Sequence, residues 1–436
     1  MKFEFTKGTL EWPSFISVPP IPAIVSEWCA LLPLVCHLAT SSDGFLTVGE
    51  VSLLGQIRIP IVPMLGSLLG VSQLLNQSAR YLDFAGVGAR GSLTVWDVKW
   101  GSVFPAANGA AVAWICDCLK QTSDHPVVDV PKETSRRRLR RLPREGSTED
   151  KHYKRGQTLR VHNFSFTDKP KESASFFRSP LARRMARYLW FLLSSLTIVF
   201  LFMLGTYGTA CVLFCTTISQ MVACKTSVTR PSTYLKNTEL HDAAMLVAAH
   251  ENSVEWQLFI GDREIVDTLL NKPMIEVQDG HGLASMWFEA AHALQLVAMT
   301  YVAAQKGWDG VLLLLLVMGD GVYSLTARGK NLARLWMEKE GVRATSLSFR
   351  FSGRTSMIGA IELFKGKGAD TWMDTILIPH PRREAWLKDL RGHGEADDRA
   401  EGLDEEDMAK IKGMTEEASV GKEVLSSQFE ERSLME

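Results

Sequence analysis

From Tyr188 to Cys224 the chain runs for 37 residues without a formal charge. A single straight helix of that length would measure about 55 Å at 1.5 Å per residue. The hydrocarbon core of a bilayer is only about 30 Å thick. The block therefore predicts two short helices turning near Gly205-Thr206-Tyr207-Gly208, where two glycines free the backbone. Each half then holds about 17–18 residues, near the lower limit for a crossing.

A second pair is predicted downstream. Met286–Ala304 and Gly310–Leu325 are apolar, and Gln305-Lys306-Gly307-Trp308-Asp309 makes a polar turn between them with an interfacial type of Trp. The N-terminal third is weaker, with one helix expected near 23–40, one near 59–76 and a short buried or interfacial segment at 106–116. The resulting expectation is a mainly α-helical polytopic membrane protein with about four to six transmembrane helices, a cytoplasmic insert and a small C-terminal α+β module.

Charge sets the expected orientation. The whole chain has 436 residues and a net charge of -1, with 22% charged and 46% apolar residues, which excludes a broadly basic nucleic-acid binder. Locally, Lys120 to Arg187 carries 18 Lys/Arg against 8 Asp/Glu. This excess places the loop in the cytoplasm, and with it the segments following each hairpin, including the C-terminus. Arg136, Arg137, Arg138, Arg140 and Arg141 form one cluster; Arg183, Arg184 and Arg187 form a second, directly before the apolar block. Both suit anionic lipid headgroups, adjustable by phosphorylation at Ser147 or Thr148.

The expected organisation is a region with one or two weaker membrane segments (1–119), a basic disordered loop (120–187), a hairpin (188–224), an insert (225–285), a second hairpin (286–326), an α+β module (327–392) and an acidic disordered tail (393–436). Within the insert a helix, a strand near Trp256–Ile260 and a second helix are expected. In the module Leu347, Phe349 and Phe351 alternate with Ser348 and Arg350, a half-buried strand turning at Ser352-Gly353-Arg354. The tail has 14 acids and 5 bases from Glu395 onward and reads as solvated, with a transient helix near 403–412. One internal echo, GxLTVx[E/D]V, occurs at Gly44–Val51 and at Gly91–Val98; two copies do not make a repeat protein.

The best chemical lead is polar residues within apolar helices. Glu289, His292 and Gln295 lie three apart, so they share a helix face, and Asp320 on the partner helix is a neighbour. An ionised carboxylate costs at least ~2.5 kcal/mol at a membrane centre, so these groups must face protein or water. They form either a candidate ion or proton site or a structural polar pair. Glu289-x-x-His292 has the spacing of half a di-iron site, but no second copy follows. Asp43–Glu50 resembles half a calcium loop whose first ligand position is Ala39, which offers no carboxylate. Seven cysteines, an odd number, have no zinc spacing and read as small core residues. No phosphate-loop, nucleophile-elbow or zinc-protease motif is present, so no catalytic residue, metal or cofactor is assigned.

Four segments, Tyr301–Gly310, Gly205–Ala210, Phe351-Ser-Gly-Arg-Thr355 and Trp372–Arg383, resemble parts of a group of uncharacterised multi-pass integral membrane proteins of filamentous fungi. The likeness covers roughly 185–390 and extends to 80–119. It implies a fungal multi-pass membrane protein and assigns no activity. A non-enzymatic membrane scaffold or regulator that presents its cytoplasmic modules to protein partners ranks first. A transporter or channel-like protein using Glu289, His292 and Asp320 ranks second, and a membrane-bound enzyme third.

Overall fold

A computed structural model describes residues 15–16, 18–40, 44–78, 80–82, 92–122, 126–131, 156–167, 180–239, 241–278, 280–305, 307–327, 329–366, 370–392 and 403–433. In chain order the elements are α1 (Ala23–Ala39), α2 (Gly44–Leu54), α3 (Ser67–Gln77), β1 (Thr94–Asp97), β2 (Val103–Pro105), α4 (Gly109–Thr122), β3 (Val128–Asp129), β4 (Gln157–Phe166), α5 (Pro180–Met203) and α6 (Tyr207–Lys225). Then follow β5 (Val228–Thr229), β6 (Ala243–Ala248), β7 (Glu255–Gly261), α7 (Arg263–Leu270), β8 (Glu276–Val277), α8 (Gly282–Ala304), α9 (Trp308–Ala327) and α10 (Lys330–Glu340). The chain ends with β9 (Val342–Phe351), α11 (Arg354–Lys365), a 3-10 turn at Asp370–Met373, α12 (Pro381–Leu390) and α13 (Glu405–Ser433). Two compact units share these elements. A helical unit takes 1–85, 170–231 and 273–336, and an α/β unit takes 86–169, 232–272 and 337–436.

The α/β unit is built on a seven-stranded mixed sheet in the order β2-β1-β6-β7-β4-β9-β3. β4 runs parallel to β7 and antiparallel to β9 over its whole length, Gln157 facing Phe351 and Phe166 facing Val342. Alternation along the strands decides the two faces. Leu159, Val161, Leu258, Leu347 and Phe349 join Met357, Ile358 and Ile361 of α11, Trp372, Trp386 and the apolar stripe of α13 in one buried cluster. On the other side of β4, Phe164 stacks with Phe259, the rings 5.4 Å apart and nearly parallel, and His162 packs tilted against the same ring.

In the helical unit α6 and α8 pack together, α8 also packs on α3, and α1 packs on α9. α5 and α6 form an antiparallel hairpin. Ile198 and Leu201 meet Ala210 and Leu213 near the turn, and Trp190 Nε1 donates to Gln220 Oε1 at 2.8 Å at the far end. The turn uses Gly205 at φ 79°, a conformation that L side chains avoid.

The expected polytopic fold of four to six transmembrane helices is overturned. Among the described residues two helices, Arg184–Met203 and Tyr207–Lys225, are long and apolar enough to cross a membrane. α2 and α3 have 11 residues each, about 16 Å, too short to cross. The other apolar blocks of 23–40, 59–76, 286–304 and 310–325 stay in the helical unit, and a further apolar run feeds the sheet. Ala243–Ala248 is β6, every residue buried between β1 and β7, where a helix is expected from sequence. A short run apolar on both faces fits a central strand and a core helix equally well.

The expected loop at 120–187 contains β4, whose ten residues pair with β9 on one edge and whose residues 158–164 pair with β7 on the other. The expected insert is divided, 232–272 going to the α/β unit and its flanks to the helical one. The expected acidic tail contains the 29-residue helix α13. Its acids obscure a helical stripe of Ile411, Ala418 and Leu425, all buried against the core. Arg136, Arg137, Arg138, Arg140 and Arg141 lie outside the described residues, while Arg184 and Arg187 are exposed in the first turns of α5.

Candidate functional sites

The polar residues singled out in α8 and α9 take separate places. Gln295 is buried and donates from Nε2 to the Pro63 carbonyl at 3.2 Å. Asp320 is buried and accepts from Ile61 N–H at 3.0 Å. Gln220 of α6 donates to the Ile59 carbonyl at 3.0 Å. Three helices thus satisfy the extended segment that joins α2 to α3, whose prolines at 60 and 63 remove amide donors. Glu289, six residues before Gln295 on α8, is exposed. His292 is half-buried, within electrostatic reach of His37 of α1, whose Nε2 is buried without a hydrogen-bond partner. The four residues therefore do not converge on one cavity; two are engaged by backbone.

Asp309, which sequence reasoning places in a tight polar turn, is buried and caps α6 from the neighbouring helix. Its carboxylate accepts Gly208 N–H and Thr209 N–H, both at 2.8 Å, and the Thr209 hydroxyl. A carboxylate there answers the unpaired amides and the positive end of the helix dipole.

The outer face of the helical unit is apolar. Leu189, Leu192, Leu193, Leu196, Val199 and Phe200 of α5 are 50–60% exposed, a stripe at helical spacing. Trp28, Leu31 and Val35 of α1, Met286 and Val297 of α8, and Leu315 and Met318 of α9 are exposed as well. A stripe such as that of α5 is unusual on a surface that faces water.

In the α/β unit a cavity of about 700 Å³ lies where the N-terminal ends of β4 and β7 meet the C-terminal end of β9. Gln157 and Ser253 line its sheet side, Ser352 to Ser356 its second wall, Arg382 of α12 and Lys410, Gly413 and Glu417 of α13 the rest. Arg354 Nη1 donates to the Glu251 carbonyl and to Asn252 Oδ1, both at 2.8 Å. Ser352 Oγ lies 3.2 Å from Glu417 Oε2. Trp256 Nε1 donates to Gln157 Oε1 at 2.8 Å, fixing the base of the cavity. Sequence reasoning recognises the Ser352-Gly353-Arg354 turn but not the site, because its walls come from five separated segments.

Two further clusters in this unit are structural. Arg263, almost fully buried, contacts Glu239 at 2.8 Å, Asp267 at 3.4 Å and Asp97 at 3.5 Å, tying the 239–241 segment to the start of α7. Burial raises the Asp267 carboxyl pKa above its usual value, the Arg263 and Lys272 charges oppose this, and Glu239 and Asp97 add to it. His162 is fully buried with neither ring nitrogen hydrogen-bonded. Burial and the Arg160 charge hold its pKa down at about 3, although Gln257 beside it slightly favours the charged form. Burial, then Asp117, pushes the Cys116 thiol up, so it is a core group and not a nucleophile. Among the described residues no group of three His, Cys, Asp or Glu side chains is placed to hold a metal ion.

In comparisons with known proteins, no family model, no curated protein and no solved structure matches this chain.

Proposed function

We propose that the protein is a membrane-attached, non-enzymatic scaffold or regulator. The α5–α6 hairpin inserts in a bilayer and the α/β unit presents a recognition surface on its cytoplasmic side. The observation that carries this reading is the 50–60% exposed apolar stripe of α5, backed by a helix of sufficient length. Burying one such Leu in lipid is worth about 1.5–3 kcal/mol, so the stripe as a whole favours lipid over water strongly. Arg184 and Arg187, exposed at the start of α5, fit the headgroups of an anionic cytoplasmic leaflet. The transporter reading is less favoured because Gln295 and Asp320 hydrogen-bond backbone.

The test is extraction and topology. The expected outcome is that the full chain stays with membranes after alkaline carbonate washing, and that reporters before α5 and after α6 both register cytoplasm. Release by carbonate would defeat insertion, and reporters on opposite sides would defeat the hairpin crossing. Replacing Leu192 and Leu196 together by Lys is expected to abolish retention, since Lys costs about 2.5–3.5 kcal/mol at the centre of an inserted helix.

A further inference from the structure

We propose that the cavity beside the β9–α11 turn binds a phosphorylated small molecule. Its volume, about 700 Å³, is within the range of small-ligand sites. Three cationic side chains, Arg354, Arg382 and Lys410, line it against a single carboxylate, Glu417. Arg382 is partly neutralised by Asp407, and Lys410 by Glu406 at 2.6 Å. Arg354 is held by two neutral acceptors, the Glu251 carbonyl and Asn252 Oδ1, so its charge is not spent on an acid there. A guanidinium positioned through neutral partners keeps donors free for a bidentate phosphate contact. The first turn of α11 opens on the same space with no side-chain cap, flanked by the Ser352, Thr355 and Ser356 hydroxyls.

Two glycines supply an independent indication that the space is meant to be filled. Gly353 and Gly413 both line the cavity, and at each an added Cβ would meet nothing within 4 Å. Neither is demanded by the fold. Gly353 has φ -168°, an extended conformation open to any residue. Gly413 sits inside α13, where glycine is among the worst helix formers. Elsewhere on the same helix, Gly421 is explained by close packing, its Cβ position lying 2.8 Å from Ala360. Gly413 has no such neighbour. The two glycines, from separate segments, leave open a space that cations line, and a ligand approaching both backbones accounts for them.

The experiment is calorimetric titration of the full-length protein, in detergent micelles, with inorganic pyrophosphate. We expect saturable binding to the wild type. Arg354→Gln should weaken it at least about tenfold, the loss expected when a charge-assisted bidentate contact is removed. Gly413→Leu should weaken it by at least as much by occupying the space. Gly413→Ala keeps the packing of α13 and should raise the melting temperature while lowering affinity. No saturable binding by the wild type overturns the proposal. So does unchanged affinity in the folded Gly413→Ala and Arg354→Gln proteins, which would mean an ion held loosely on the surface.

Discussion

The two units solve opposite problems with the same side chains. The α/β unit hides its large residues: Trp96, Trp256, Trp372 and Trp386 are all but fully buried in one cluster. The helical unit buries Phe288, Leu68 and Leu313 in the same way, but it also leaves a stripe of large residues outside on α5 and turns several polar ones inward. Gln220, Gln295, Asp309 and Asp320 each reach a backbone group there, while Leu and Val of α5 face out. The bilayer proposed above, which cannot hydrogen-bond, would favour that arrangement, because unpaired backbone groups cost several kcal/mol in it. The lesson is that burial in this chain must be judged against the solvent each unit meets.

The contrast breaks most visibly in the sheet. Trp256→Ala is expected to cost about 3–5 kcal/mol, since it empties the centre of a close-packed cluster and removes the indole hydrogen bond to Gln157 Oε1. Urea unfolding of the full chain, followed by amide exchange in β6 and β7, should report that loss in the α/β unit. A loss below about 1 kcal/mol would mean the cluster is not packed like a water-facing core. The matching position in the helical unit is polar. Asp309→Ala leaves Gly208 N–H and Thr209 N–H without their acceptor, while the Thr209 hydroxyl keeps the main-chain carbonyl of residue 309. We expect about 2–3 kcal/mol of destabilisation, most of it the desolvation of orphaned donors, read as a lower melting temperature in micelles. Asp309→Asn, which keeps an acceptor, should recover part of it.

A third prediction concerns proton uptake. The folded pKa of His162 is about 3, below its ordinary 6.5. The unfolded chain therefore binds a proton that the folded unit refuses. Its contribution to stability is complete above pH 6.5 and is lost as the pH falls toward 3, at about 1.4 kcal/mol per pH unit. His162→Leu should remove that slope and leave the carboxylate contributions. Urea unfolding midpoints measured across this window decide the matter: parallel curves for wild type and variant would mean the buried ring is not neutral.

Legibility followed local pattern and failed where pattern was averaged away. The α5–α6 turn was readable because an uncharged run too long for one helix contained Gly205. β9 was readable because Leu347, Phe349 and Phe351 alternate with polar residues, and all three are buried. β4 was not, because Arg160, His162 and Asn163 sit in a basic stretch whose composition resembles a linker. The echo is the sharpest case. Gly44–Val51 lies wholly within α2, while its counterpart supplies β1 at Thr94–Asp97. The shared LTV core takes whichever form its neighbours impose, since β-branched residues have weak intrinsic preferences compared with tertiary packing. The cavity was beyond reach for another reason: Arg354, Arg382 and Gly413 converge only once α13 has docked on α11.

The smallest expected effect sharpens the comparison furthest. Leu196 is 59% exposed on α5. In micelles Leu196→Ala should change unfolding free energy by no more than about 0.5 kcal/mol, as for any side chain away from a packed interior. Its cost should appear elsewhere, as weaker partition into vesicles, because removing three carbons forfeits about 0.8 kcal/mol for each group buried in lipid. Melting temperature and vesicle flotation, measured on the same protein, separate the two. A large drop in melting temperature would place Leu196 against protein, in an assembly that covers the stripe. Unchanged stability with reduced flotation would place it against lipid, and the outward apolar face would then be a solvent adaptation of the helical unit and not an unfinished core.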